Sequence, residues 1–138
     1  MGSVPARGGC LCGAVRYEVR GPLRDVVLCH CSHCRRTHGH VAAYAACARG
    51  DLAVADPAAV RWYADGDRER GFCPACGASL FWRATGRPTI SIAAGTLDAP
   101  TGLRTVAQIF TESRGDYYEL PGEGERFGGA LPDGFRAT

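Results

Sequence analysis

Apolar and polar positions along this chain alternate in short runs rather than in helical stripes. Val15, Tyr17 and Val19 alternate with Arg16, Glu18 and Arg20, the pattern of a strand with one buried face, and Gly21-Pro22 ends the run. Comparable runs over 26–29, 40–47, 60–64, 79–83, 89–94, 105–110 and 117–120 predict further strands. Turn residues separate them: Asp65-Gly66-Asp67, Gly86-Arg87-Pro88, Ala99-Pro100-Thr101-Gly102 and Pro121-Gly122. Many short strands at this spacing predict an all-β architecture with little helix. One short helix is expected, over 32–38. The alanine-rich stretch 42–48 is contested, because alanine favours helix while its place in an apolar run favours strand. Glycine-rich 128–138 predicts a loosely packed tail.

Length adds scale to this pattern. A chain of 138 residues reads as one domain, with its core over about 8–128 and a flexible tail over 129–138. Hydrophobic residues at 46% and charged residues at 22% are ordinary for a soluble globular protein. All 16 basic residues are arginine, and neither lysine nor asparagine occurs. That excludes a lysine Schiff base, a phosphate-loop lysine and a Ser-x-x-Lys acylation site. A net charge of +2, with acids and bases interspersed, weighs against nucleic acid or an anionic membrane as the main partner. The first nine residues hold no apolar run of the secretory kind, and no stretch approaches the ~20 apolar residues of a membrane span. The expected location is the cytoplasm, where structural disulfides are uncommon. Eight cysteines in a reducing compartment then call for a metal.

Seven of those cysteines form three tight groups: Cys10 and Cys12; Cys29, Cys31 and Cys34; Cys73 and Cys76. Zinc takes thiolates in a tetrahedron at ~2.3 Å, and closely spaced pairs supply two ligands at little ordering cost. Cys73-Pro74-Ala75-Cys76-Gly77 has the form of a zinc knuckle, in which the glycine lets the backbone turn its amides toward sulfur. Cys10 and Cys12 complete a four-thiolate structural site with Cys73 and Cys76. A redox dithiol is the weaker reading, since a thioredoxin-type Cys-x-x-Cys opens a helix and this one does not. Cys29, Cys31 and Cys34 can close around a second zinc with one position left over. By spacing alone that position is either open or filled by His30, His33, His38 or His40.

The three groups in their order, with Gly9 to Tyr17, Cys29 to Gly39 and Phe72 to Leu80 around them, resemble the glutathione-dependent formaldehyde-activating enzyme family, whose domain centromere protein V shares. Gly95-Thr96-Leu97-Asp98 is similar to the family's later motif, and the resemblance runs over about 8–128. It implies a zinc-bearing β-tent of packed antiparallel sheets with zinc-ribbon knuckles. It implies two zincs, one structural on Cys10, Cys12, Cys73 and Cys76, and one catalytic on an open site of Cys29, Cys31 and Cys34. The implied activity joins glutathione, as co-substrate, to formaldehyde, giving S-(hydroxymethyl)glutathione. The class is a carbon–sulfur lyase, and the partners are a small-molecule thiol and an aldehyde. The oligomeric state stays open, with a homodimer among the options.

In such a site a glutathione-like thiol is expected at the fourth metal position as its thiolate, attacking the aldehyde carbon. Lewis-acid activation of the aldehyde is the alternative, disfavoured because three thiolates already place excess negative charge on the ion. A proton carrier is sought among His30, His33, His38 and His40. Arg35, directly after the cluster, is the candidate for binding a glutathione carboxylate bidentately, and Arg36 is a weaker one. Cys47 reads as a buried core cysteine; Trp62, Tyr63, Phe81 and Trp82 read as sheet packing; Asp98 reads as a turn former. The competing function is a zinc-stabilised binding module without catalysis, which would close the middle site with a histidine. A methionine sulfoxide reductase-like chemistry lacks the late redox cysteine it needs, since none follows Cys76.

Overall fold

The computed structural model describes residues 5–135. In chain order the strands are β1 (Ala6–Gly9), β2 (Arg16–Val19) and β3 (Arg24–Cys29), followed by the helix α1 (Ser32–His38). Then come β4 (Ala42–Ala48), β5 (Leu52–Val54), β6 (Arg61–Asp65), β7 (Arg68–Phe72), β8 (Ser79–Ala84), β9 (Thr89–Ala93), β10 (Thr105–Ile109) and β11 (Glu125–Arg126). The mostly-β class expected from the alternation is what forms, with one short α-helix where 32–38 was expected. The chain clusters into two compact units, each assembled from two stretches of sequence.

The first unit comprises the chain up to Leu23 together with Ala46–Gly102. It holds the antiparallel sheet β1-β2-β5 and the antiparallel run β9-β8-β7-β6. In β2 the predicted alternation is realised: Val15, Tyr17 and Val19 are buried, while Arg16 and Arg20 face solvent. The Tyr17 ring meets Phe81 edge-on at 5.3 Å, and Leu80 and Ile92 are fully buried. Along β6 and β7 the register sets Trp62 opposite Gly71, where an added Cβ would sit 3.0 Å from the indole. The expectation that Tyr63 packs in the core is not met. It points outward from the edge strand β6 and is 62% exposed, because alternation turns Trp62 inward instead.

The second unit comprises Arg24–Ala45 and the chain from Leu103. Its strand order is β11-β10-β3-β4, and β10 runs parallel to both β3 and β11. Val26, Val27 and Ala107 are buried here, alongside the polar residues His30, Gln108 and Thr111. The stretch 42–48 is strand: four consecutive buried residues show that tertiary burial overrides alanine's helix preference. The strand expected over 117–120 is absent; Tyr117 closes a turn, Tyr118 sits in a bend, and Glu119 and Leu120 are irregular. Two adjacent tyrosines mimic an apolar run, but their hydroxyls bond to His40 and His30, and no ladder forms. The described part of the tail is mostly exposed and irregular, and its contacts include Phe110 N–H donating to Gly129 O and Phe135 packing on Phe127 at 5.7 Å. Residues 136–138 lie outside the described residues.

Candidate metal centres

In the first unit the two knuckles are built alike. Cys10 N–H donates to Val15 O and Gly13 N–H to Cys10 O; Cys73 N–H donates to Ala78 O and Gly77 N–H to Cys73 O. Gly13 and Gly77 both adopt positive φ, +82° and +79°, which a side chain would resist. Each turn therefore presents its pair of sulfurs on one side. The sulfurs of Cys10, Cys12, Cys73 and Cys76 come within 4.8 Å of one another. Cys10 to Cys12 is 3.6 Å and Cys12 to Cys73 is 3.8 Å. A tetrahedron with ~2.3 Å metal–sulfur bonds has edges of ~3.8 Å, so these residues fit a closed thiolate metal site. Burial opposes ionisation of Cys10, but the Val15 amide and the neighbouring thiols outweigh it and bring its pKa to about 6. Cys76 is lowered as well, while the same thiol contacts raise Cys12 to about 11, so the thiolate character a metal binds is concentrated at Cys10 and Cys76.

In the second unit Cys29 ends β3, Cys31 caps α1 and Cys34 lies in its first turn. Cys31 accepts the Cys34 N–H at 3.3 Å as the helix N-cap. The three sulfurs lie within 4.8 Å of one another, and among the described residues no histidine joins them. Hydrogen bonds from Cys29 and Cys34 hold the Cys31 thiol well below its usual pKa, and the same bonds hold Cys29 well above it. Three sulfurs gathered at a helix N-cap form a donor set for a thiophilic metal with a position to spare.

The structure sorts the histidines. His30 is fully buried, with Nε2 2.9 Å from Gln108 Oε1 and Nδ1 2.7 Å from the Tyr118 hydroxyl. Burial is the main cause that lowers its pKa, which favours the neutral ring. Both of its nitrogens are engaged within the fold, and His30 does not join the three-cysteine group. His38 Nε2 bonds the Tyr44 hydroxyl at 2.8 Å, and His40 Nδ1 bonds the Tyr117 hydroxyl at 2.7 Å. His33 is exposed on α1. Arg35 is partly buried, and its Nε is a buried donor with no hydrogen-bond partner. Arg36 is exposed. Cys47 is buried in β4, and burial raises its thiol to about 11, leaving an inert core sulfur. Asp98 is an ion-pair partner, with Arg16 Nη2 2.6 Å from its carboxylate.

Sequence reasoning passed over Gln108 and the tyrosines that engage the histidines. A glutamine inside the apolar run of β10 was a legible sign of a buried polar group. For Tyr118, 88 residues from His30, no sequence signal existed.

No curated protein sequence matches the chain. A crystal structure of a Rhodobacter sphaeroides protein is similar to it, with a TM-score of 0.55 and 31% sequence identity over 67% of this chain and 88% of that one. The family model described as glutathione-dependent formaldehyde-activating enzyme matches residues 5–113, a span that includes both cysteine clusters. Spacing, sulfur geometry and family match agree, and the chain belongs to the glutathione-dependent formaldehyde-activating enzyme family.

Proposed function

We propose that this chain is a zinc-dependent carbon–sulfur lyase-type enzyme of the cytoplasm that joins a glutathione-like thiol to formaldehyde or a related small aldehyde. The product is an S-hydroxymethyl adduct. The observation that carries the reading is the group of three sulfurs that no described histidine completes. Cys10, Cys12, Cys73 and Cys76 would hold a structural zinc, and Cys29, Cys31 and Cys34 a catalytic one. Zinc at the second group would supply a centre that binds a thiol in its deprotonated, nucleophilic form. Arg35 would orient the substrate: a buried guanidinium Nε lacking an acceptor, one residue beyond Cys34, suits a carboxylate of a glutathione-like molecule. The adduct needs a proton at the former aldehyde oxygen, and with His30 engaged on both sides the carrier is sought among His33, His38 and His40. The family match across 5–113 supports treating the chain as one such domain.

The test is metal stoichiometry joined to thiol binding. Two zinc equivalents are expected, and a protein with cobalt in the three-cysteine group should change its visible absorption when glutathione is added. A spectrum indifferent to glutathione, with a histidine on the fourth position, would favour the zinc-stabilised binding module instead.

A further inference from the structure

Gln108 is a fully buried polar side chain in β10 with every hydrogen-bonding group committed. Its Nε2 lies 2.6 Å from Pro121 O and 2.7 Å from Glu123 O. Carbonyl oxygens only accept, so both amide hydrogens go to them and the orientation of the carboxamide is settled. Oε1 therefore faces His30 Nε2, which must carry the ring proton. Nδ1 is left as an acceptor and receives the Tyr118 hydroxyl hydrogen. The backbone adds a further tie, as His30 N–H donates to Ile109 O at 3.0 Å. A buried network in which each donor has one acceptor holds a single arrangement, since any rotation strands a buried polar group.

The place of His30 gives this clamp its meaning. It stands between two members of the sulfur group, with Cys29 ending β3 and Cys31 extended at φ −63°, ψ 154°. The sulfurs of Cys29 and Cys31 meet Cys34, so gripping the ring and the backbone N–H of the residue between them fixes the short stretch of chain that carries both.

We infer that Gln108, with Tyr118, is a positioning residue for the three-cysteine group: by gripping the His30 ring as its Nε2–H tautomer, it presets Cys29 and Cys31 for metal binding. The inference rests on the reading that this group holds a metal, and not on which thiol or aldehyde is used.

The test uses the full chain and its variants Gln108→Leu and Tyr118→Phe. Zinc affinity is read at each group separately, by competition with a chromophoric chelator and by the cobalt spectrum. The His30 tautomer is read from long-range nitrogen–proton correlations of the imidazole. We expect an Nε2–H ring in the unaltered protein. Either variant should weaken metal binding at the three-cysteine group by about 10–100-fold and leave the four-cysteine group unchanged. Tyr118→Phe removes one hydroxyl and carries the test alone if Gln108→Leu does not fold. Unchanged affinity, equal loss at both groups, or an Nδ1–H ring would each overturn the inference while leaving two-metal binding intact. A single metal equivalent in the unaltered protein would overturn the metal reading, and the inference with it.

Discussion

Tyr17 is 3% exposed, and its hydroxyl lies 2.7 Å from Thr96 Oγ1. Burial disfavours the phenolate and raises the pKa to about 12 from an ordinary value of 10. The folded protein holds this proton more tightly than the unfolded chain. Its contribution to stability is therefore intact below pH 10 and is lost as pH rises from 10 through about 12. A spectrophotometric titration should show a tyrosine ionising near pH 12 that is missing in Tyr17→Phe. The same variant should lose about 1 kcal/mol at neutral pH in denaturant unfolding, the worth of one buried hydrogen bond. A late-titrating tyrosine that persists in Tyr17→Phe would contradict this assignment. The burial of Tyr17 was legible from its alternation with Arg16 and Glu18, but its partner, 79 residues away, was not.

At the scale of elements, β1 shows why a strand can escape sequence reading. Its residues Ala6–Gly9 include two glycines, which weaken strand preference. The structure explains them by close approach. Gly8 pairs with Tyr17 across β1 and β2, and a Cβ there would run into the Tyr17 hydroxyl and the Thr96 carbonyl. Gly8→Ala should therefore cost about 1–3 kcal/mol in thermal or urea unfolding. Gly50→Ala, with open space around it, should stay within about 0.5 kcal/mol. Equal effects from the two would mean that the approach at Gly8 is not tight. β7 was missed for a different reason: Arg68, Glu69 and Arg70 carry no apolar alternation, yet the strand is held by ladders to β6 and β8 on either side. The two-tyrosine run at 117–118 failed the other way, looking like strand while its hydroxyls were spent on histidines.

For the whole molecule, the two sulfur groups should respond differently to loss of one ligand. Structural zinc in small peptides contributes ~10–16 kcal/mol to folding. Cys76→Ala should therefore give a protein with poor cooperativity in unfolding and one fewer zinc. Cys31→Ala should keep its circular dichroism spectrum and lose thiol–aldehyde turnover along with the other zinc. Two variants that unfold alike would abolish the division of labour between the groups.

What the sequence by itself determined is local. Cysteines two to five positions apart name their own clusters, Gly77 marks a knuckle, and alternation marks β2, because each depends on the geometry of a few consecutive residues. Ligand counting also paired Cys10 and Cys12 with Cys73 and Cys76, but tertiary structure alone decided that His30 meets Gln108 across 78 positions and Tyr118 across 88. It also engaged both nitrogens of His30 and left Arg35 with a buried donor in want of an acceptor. The physical reason is that a hydrogen bond or a sulfur contact depends on separation in space, and only the burial of the strands brings these side chains to that separation.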